Sequence, residues 1–285
     1  MPISNTFTSY DGTRLAYHER GGGEPLVCVP GGAMRASEYL GDLGGLAAGR
    51  RLVLLDLRGT GDSEVPADES TYRVDHQVAD LEALREHLGL ERMDVLAHSA
   101  GGNLLQLYAA AHPHRLRKAV LVTPTSWAVD LPTTAGHRLG AARLRAGEEW
   151  YEKAYAAYRA VLDGDGGDAE WDLAMPFFYG RWDETARAHA AANDRQQNER
   201  AAEVYAGPGA FDPPATRAAL RGVGAEVLVL AGELDGNPPP VLAGQLAELF
   251  PRGVLDVQPG AAHFPWLDDP AGFSGRVERF LAAAA

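Results

Sequence analysis

Cysteine is nearly absent: Cys28 stands alone among 285 residues, which excludes a disulfide framework and a thiolate zinc cluster. Lysine is almost as rare, with Lys118 and Lys153 against 24 arginines, a usage that together with abundant alanine suggests a GC-rich bacterial genome. Positive charge is in deficit overall, since 26 Lys and Arg face 39 Asp and Glu for a net charge of −13. A phosphate backbone or an acidic membrane surface would be repelled, so neither nucleic acid nor membrane is an expected partner. Long apolar runs are also lacking: no stretch of about 18 uninterrupted apolar residues occurs. The opening Met1-Pro2-Ile3-Ser4 shows no basic segment leading into an apolar one, so the expected compartment is the cytoplasm. What is present is ordinary for a globular chain, with hydrophobic content of 46% and charged content of 23%.

Three parts can be read along the chain. Residues 1–124 alternate strand-like and helix-like segments: a hairpin around Asp11-Gly12, strands at 26–29, 52–55 and 93–96, a helix over 75–88, a helix after residue 100, and a strand at 118–123. Cys28 falls inside the first buried strand, where it acts as a small hydrophobe. Residues 217–285 resume the same grammar with strands at 226–231 and 254–257, a helix over 271–281 and a frayed tail at 282–285. Such alternation predicts an α/β fold, a mostly parallel sheet with helices on both faces. The middle, 125–216, is rich in Ala, Arg, Glu and aromatics and has no β-branched runs. It reads as a helical insertion, with helices over 148–162 and 184–192. Asp163-Gly-Asp-Gly-Gly167 is a linker within it; its acidic spacing resembles a calcium loop, but the remaining ligands are missing and no metal is expected.

The chemistry-bearing residues sit where strands end. Ala97-His98-Ser99-Ala100-Gly101 spans a strand-to-helix junction, and the small residues two before and two after Ser99 let strand and helix approach around a strained turn. A strand over 226–231 delivers Asp235 to a loop, with Glu233 a rival carboxylate two residues away. The loop after the strand at 254–257 carries His263. Ser99, Asp235 and His263 therefore supply a nucleophile, an acid and a base: the imidazole takes the serine proton, and the carboxylate fixes the tautomer of the imidazole. His98 adjoins Ser99, but neighbouring side chains on a sharp turn diverge, so it packs against or lines the elbow. The glycines of Gly59-Thr60-Gly61 do not make a dinucleotide loop, since Glu64 stands where the third glycine is required.

Pro30-Gly31-Gly32-Ala33 after one strand and Asp56-Leu-Arg-Gly-Thr-Gly-Asp-Ser63 after the next complete a set that resembles the α/β-hydrolase superfamily, most closely its proline iminopeptidase-like branch. The resemblance covers nearly the whole chain. It departs at Pro30, where histidine is common, at Ala33, where proline often follows, and at Ala97, where glycine is usual. It implies an α/β-hydrolase fold with an inserted helical cap. It also implies an oxyanion hole formed by the Gly32 and Ala100 amides, each such donor being worth about 3 kcal/mol in the transition state. Asp56 to Ser63 is given a structural role. Gly31, His98, Trp171, Phe178 and Trp182 are the expected substrate-contacting residues. Glu148, Glu149, Glu152, Glu184, Glu199 and Glu203 are the insertion carboxylates from which an amine-binding pair would have to come. The implied activity is cofactor-independent serine hydrolysis of an ester or amide in a small molecule or short peptide. Open readings are an aminopeptidase acting on an N-terminal residue, a small-molecule esterase or lactonase, an acyl-transfer or cyclisation enzyme of secondary metabolism, and, in another class, a non-catalytic hydrolase-fold binding protein.

Overall fold

The computed structural model describes residues 3–283; Met1 and Pro2 of the opening segment, and Ala284 and Ala285 of the expected tail, lie outside them. Eight strands form one sheet: β1 (Ile3–Thr8), β2 (Arg14–Arg20), β3 (Pro25–Val29), β4 (Arg51–Leu55), β5 (Met93–His98), β6 (Leu116–Val122), β7 (Glu226–Gly232) and β8 (Gly253–Gln258). Their spatial order is β1-β2-β4-β3-β5-β6-β7-β8. β2 runs antiparallel to β1 and β4, and from β4 onward every pair is parallel.

The central strands are apolar along most of their length because both faces are covered, with charged residues confined to their amino-terminal ends, at Arg51, Asp94, Arg117, Lys118 and Glu226. Alternation still sorts them: Val27, Val29, Val53, Leu55, Val95 and Val229 face one apolar cluster. Leu26, Cys28, Leu54, Leu96, Val120 and Leu230 face the other. Cys28 is fully buried with its thiol near the Leu26 carbonyl, and burial pushes its pKa up. Helices α1 (Gln77–His87) and α2 (Gly101–Ala111) cover the first face.

Between β6 and β7 the chain is helical: α3 (Ala135–Ala142), α4 (Tyr151–Asp163), α5 (Asp168–Ala174), α6 (Glu184–Ala191), α7 (Asn193–Gln196), α8 (Glu199–Tyr205) and α9 (Pro213–Leu220). Part of it has an apolar cluster of its own, Ala142, Tyr151, Ala154, Tyr158, Ala174 and Phe177. The expected boundary at 216/217 falls inside α9, which Asp212 caps and Pro213 opens, and whose Leu220 belongs to the main core. After β7 come α10 (Pro240–Ala247), α11 (Pro265–Asp268) and α12 (Pro270–Ala282). No helix among the described residues is long and apolar enough to cross a membrane.

Candidate active site

The carboxyl ends of β5, β7 and β8 bring three loops together. Ser99 follows β5 with φ of +51°, a left-handed conformation that costs a non-glycine residue energy and that the surroundings must over-determine. Its backbone is fixed on both sides: its N–H donates to Val122 O at 3.0 Å, and its carbonyl accepts from Gly102 N at 2.9 Å and Thr125 N at 3.0 Å. α2 then approaches β3 so closely that a Cβ on Gly101 would lie 2.5 Å from Pro30 O.

Ser99 Oγ lies 2.9 Å from His263 Nε2, and His263 Nδ1 lies 2.9 Å from Asp235 Oδ2. All three side chains are buried or nearly so. The other oxygen of Asp235 accepts from Asn237 N at 2.7 Å. Glu233, the rival acid, is exposed and accepts from Gly260 N at 2.8 Å, on the far side of the turn. With Asp235 on Nδ1, that nitrogen carries the proton and Nε2 is left as the acceptor facing Ser99.

The His263 loop is clamped from several directions. Its N–H donates to Phe178 O at 3.0 Å. Its carbonyl accepts from His98 Nε2 at 2.9 Å and Thr123 Oγ1 at 3.0 Å. Asp268 joins the same loop to the helical insertion, accepting from Ala262 N at 2.8 Å and Gly180 N at 2.8 Å. Burial raises the Asp268 carboxyl to about 6, a rise limited by those backbone N–H donors.

Among the described residues no hydrogen-bond acceptor serves the Gly32 or Ala100 amide, and Gly32 is exposed with φ of +115°. Ala100 follows Ser99 in the elbow, and Gly32 follows Gly31, where a Cβ would lie 2.8 Å from Ser99 Cβ and 3.1 Å from Ala100 N. The helical segment after α6 grips this loop from outside: Asn198 N donates to Met34 O at 2.9 Å, and Gln197 Nε2 to Ala33 O at 3.3 Å.

The expected substrate-contacting residues divide. Phe178 presents its ring edge-on to His263 at 6.1 Å, and Trp171 stands behind it at 6.2 Å, 37% exposed. Trp182 packs on Tyr179 at 5.3 Å beside the second core cluster, and the structure does not bring it to Ser99. Gly31 and His98 are engaged in packing and hydrogen bonds around the elbow. The Gly31 amide donates to Tyr39 Oη at 2.7 Å, and a Cβ there would lie 2.6 Å from His98 O, so the absent side chain serves close packing. His98 is buried with both ring nitrogens bonded to protein groups, leaving none for a ligand. The loop at 56–63 is structural: Asp56 accepts from Ser37 N, Asp62 N and His18 Nε2, and Ser63 Oγ donates to Asp56 O.

Sequence reasoning missed Tyr39, Thr123, Asp268 and Arg138. Arg138, on α3, is half-buried; it donates to Asn237 Oδ1 at 3.2 Å and lies against the Tyr158 hydroxyl. It lines a water-sized cavity of about 10 Å³ with Tyr158, Phe178 and Asp235. On the other side of Ala141, a groove of about 270 Å³ reaches Asp235 between His137, Leu144, Pro239 and Val241. The six insertion carboxylates are all exposed; Glu148 pairs with Arg145 and Glu203 with Arg200.

A family described as alpha/beta hydrolase fold matches residues 24–270. The chain is 31% identical to a 2-hydroxymuconate semialdehyde hydrolase of Pseudomonas sp. (strain CF600), over 96% of this chain and 92% of that one. Among solved structures it resembles a proline iminopeptidase of Mycobacterium smegmatis (25% identity, TM-score 0.73, 98% of this chain and 97% of that one). It also resembles an esterase from Rhodococcus sp. ECU1013 (26% identity, TM-score 0.71, 99% of each chain).

Proposed function

The chain belongs to the α/β-hydrolase fold family, and we propose that it is a serine hydrolase in which Ser99, His263 and Asp235 form the catalytic triad. The observation that carries this reading is the unbroken line from Ser99 Oγ through His263 to Asp235, with 2.9 Å at each junction. Ser99 Oγ attacks the substrate carbonyl while His263 Nε2 takes its proton, and Asp235 steadies the imidazolium that forms. The carbonyl oxygen becomes an oxyanion held by the Gly32 and Ala100 amides. Collapse of the tetrahedral intermediate breaks the bond to the leaving group, which receives the proton from His263. Water then attacks the acyl-serine by the same route in reverse and frees the acid. No cofactor enters any step.

Residues 125–212 act in this reading as a cap over the carboxyl ends of the strands, supported by the bonds from His263 N to Phe178 O and from Gly180 N to Asp268. Such a cap excludes water and shapes the acyl pocket. Its charges favour an ester of a neutral or anionic acyl group. A free N-terminal ammonium would need enclosed carboxylates, whereas Glu148, Glu149, Glu152, Glu184, Glu199 and Glu203 are exposed, Glu233 is exposed, and Asp235 is committed to His263. Arg138 meanwhile lines the cavity beside Asp235 with neutral hydrogen-bond partners. The likeness to a proline iminopeptidase along 98% of this chain supports aminopeptidase activity as the second reading.

A panel of p-nitrophenyl acetate, proline p-nitrophenyl ester and proline p-nitroanilide, run with wild type and Ser99→Ala, separates the two. The esterase reading expects Ser99-dependent hydrolysis of the esters with the anilide uncleaved. Ser99-dependent cleavage of the anilide would replace it with the aminopeptidase reading, and hydrolysis retained by Ser99→Ala would end both.

A further inference from the structure

We propose that His98 is a positioning residue that ties the oxyanion loop to the loop carrying His263 through one continuous hydrogen-bonded line, Gly31 to Tyr39 to His98 to His263. The inference rests on the serine-hydrolase reading above. Gly31 N lies 2.7 Å from Tyr39 Oη, Tyr39 Oη lies 2.7 Å from His98 Nδ1, and His98 Nε2 lies 2.9 Å from the His263 carbonyl oxygen.

The proton positions along this line are forced. A carbonyl oxygen only accepts, so His98 Nε2 carries the proton; a neutral imidazole then offers Nδ1 as an acceptor, and Tyr39 must donate to it. The lone pairs of the same hydroxyl are left for the Gly31 N–H. Burial, followed by the nearness of His263, holds the His98 pKa well below its ordinary value and keeps the ring neutral. Its plane is fixed by Trp266 edge-on at 4.7 Å and Phe264 at 5.3 Å.

Each end of the line is one step from a reacting group. Gly31 precedes Gly32, whose amide is the proposed oxyanion donor, and the anchored carbonyl belongs to His263 itself. His98 also precedes Ser99 in the chain. One buried ring therefore indexes the nucleophile, the base and the oxyanion donor to each other. Tolerances of this kind are steep, since misplacement of reacting groups by about 1 Å costs on the order of 100-fold in rate. Thr123 Oγ1 also holds the His263 carbonyl, so loss of His98 lowers the rate without abolishing it.

The test uses a fluorophosphonate, whose attack by Ser99 requires the base and the oxyanion donors but no particular acyl pocket. The maximal inactivation rate, the half-saturating concentration and Tm are measured for wild type, Ser99→Ala, His98→Phe, His98→Asn, His98→Gln and Tyr39→Phe. His98→Phe is expected to lower the maximal rate by about tenfold or more, with half-saturation unchanged. Asn, which keeps an acceptor toward Tyr39, and Gln, which keeps a donor toward His263, should each recover part of the loss. A folded His98→Phe with a lower Tm but a rate within about twofold of wild type would overturn the proposal, as would Asn and Gln variants no faster than Phe. Should His98→Phe fail to fold, Tyr39→Phe decides the matter by removing a single oxygen: a slowed maximal rate supports the line and an unchanged one overturns it. Absent labelling of wild type, or equal labelling of Ser99→Ala, would instead overturn the serine-hydrolase reading.

Discussion

Ser99 holds φ of +51° because the chain around it allows no relaxation, and the small residues beside it are part of that constraint. A Cβ at Gly101 would meet the Pro30 and Val29 carbonyl oxygens at 2.5 and 2.9 Å, both backbone atoms that cannot rotate away. Gly101→Ala is therefore expected to lower unfolding free energy by about 1–3 kcal/mol, read by urea denaturation, and to reduce ester hydrolysis as α2 withdraws from β3. The two nearby acids are separated by the same kind of local geometry. Asp235→Asn should lower kcat by about 10⁴-fold because the imidazole loses its tautomer restraint. Glu233→Gln, at an exposed carboxylate bonded to Gly260 N, should change kcat by far less. Ser99, Asp235 and His263 were legible in the sequence because each follows an apolar run and carries the residue type its role requires. The preference for Asp235 over Glu233 rested on its place in the loop after the strand; the fold brings Asp235 to His263 Nδ1 and leaves Glu233 exposed on Gly260 N. Tyr39 left no trace at all: it sits in a single 3₁₀ turn, Ser37–Leu40, and meets His98 across a separation of 59 residues.

Elements inside the insertion were read only where they were long. α4 and α6 emerge from the sequence because their residues are good helix formers over two turns or more. α7, with four residues, and α8, with seven, are too short to be stable alone and are held by docking. Tyr205 at the end of α8 donates to Ala100 O at 2.6 Å, and Asn198 at its start bonds Gly59 O at 2.8 Å. Asp268 on α11 makes the corresponding tie to the base loop. Its carboxyl is raised from 3.8 to about 6 by burial, so the folded state binds the proton more tightly than the unfolded chain. The stability this group contributes is fully present below about pH 4 and is lost as pH rises through about 6. The stability difference between wild type and Asp268→Ala should accordingly narrow across that window, by up to about 3 kcal/mol. Chemical denaturation at pH 4, 5, 6 and 7 checks the sign; a gap that widened with pH would contradict it.

Across the whole molecule, the parallel strands β3 to β7 were the most legible feature, because strands buried on both faces read as continuous apolar runs whatever their partners, whereas the edge strand β8 exposes Val254 and Leu255. Strand order and the course of α9 through residue 216 depend on contacts far apart in sequence and could not be read the same way. Stability away from the site depends on a buried ion cluster in which Arg58, fully enclosed, bonds Asp80 at 2.6 Å through two nitrogens and Asp11 at 2.5 Å. Arg58→Met would strand the buried Asp80 carboxylate and should cost about 3–5 kcal/mol of unfolding free energy while leaving the rate per folded molecule close to wild type. Nucleophilic attack by Ser99 is tested by mass-spectrometric mapping of the adduct formed by a fluorophosphonate on the wild-type protein and on Ser99→Ala. The predicted result is a single phosphonyl group on the peptide containing Ser99 in the wild type and none in the variant; an unlabelled wild type, or an adduct on another residue, would contradict the account.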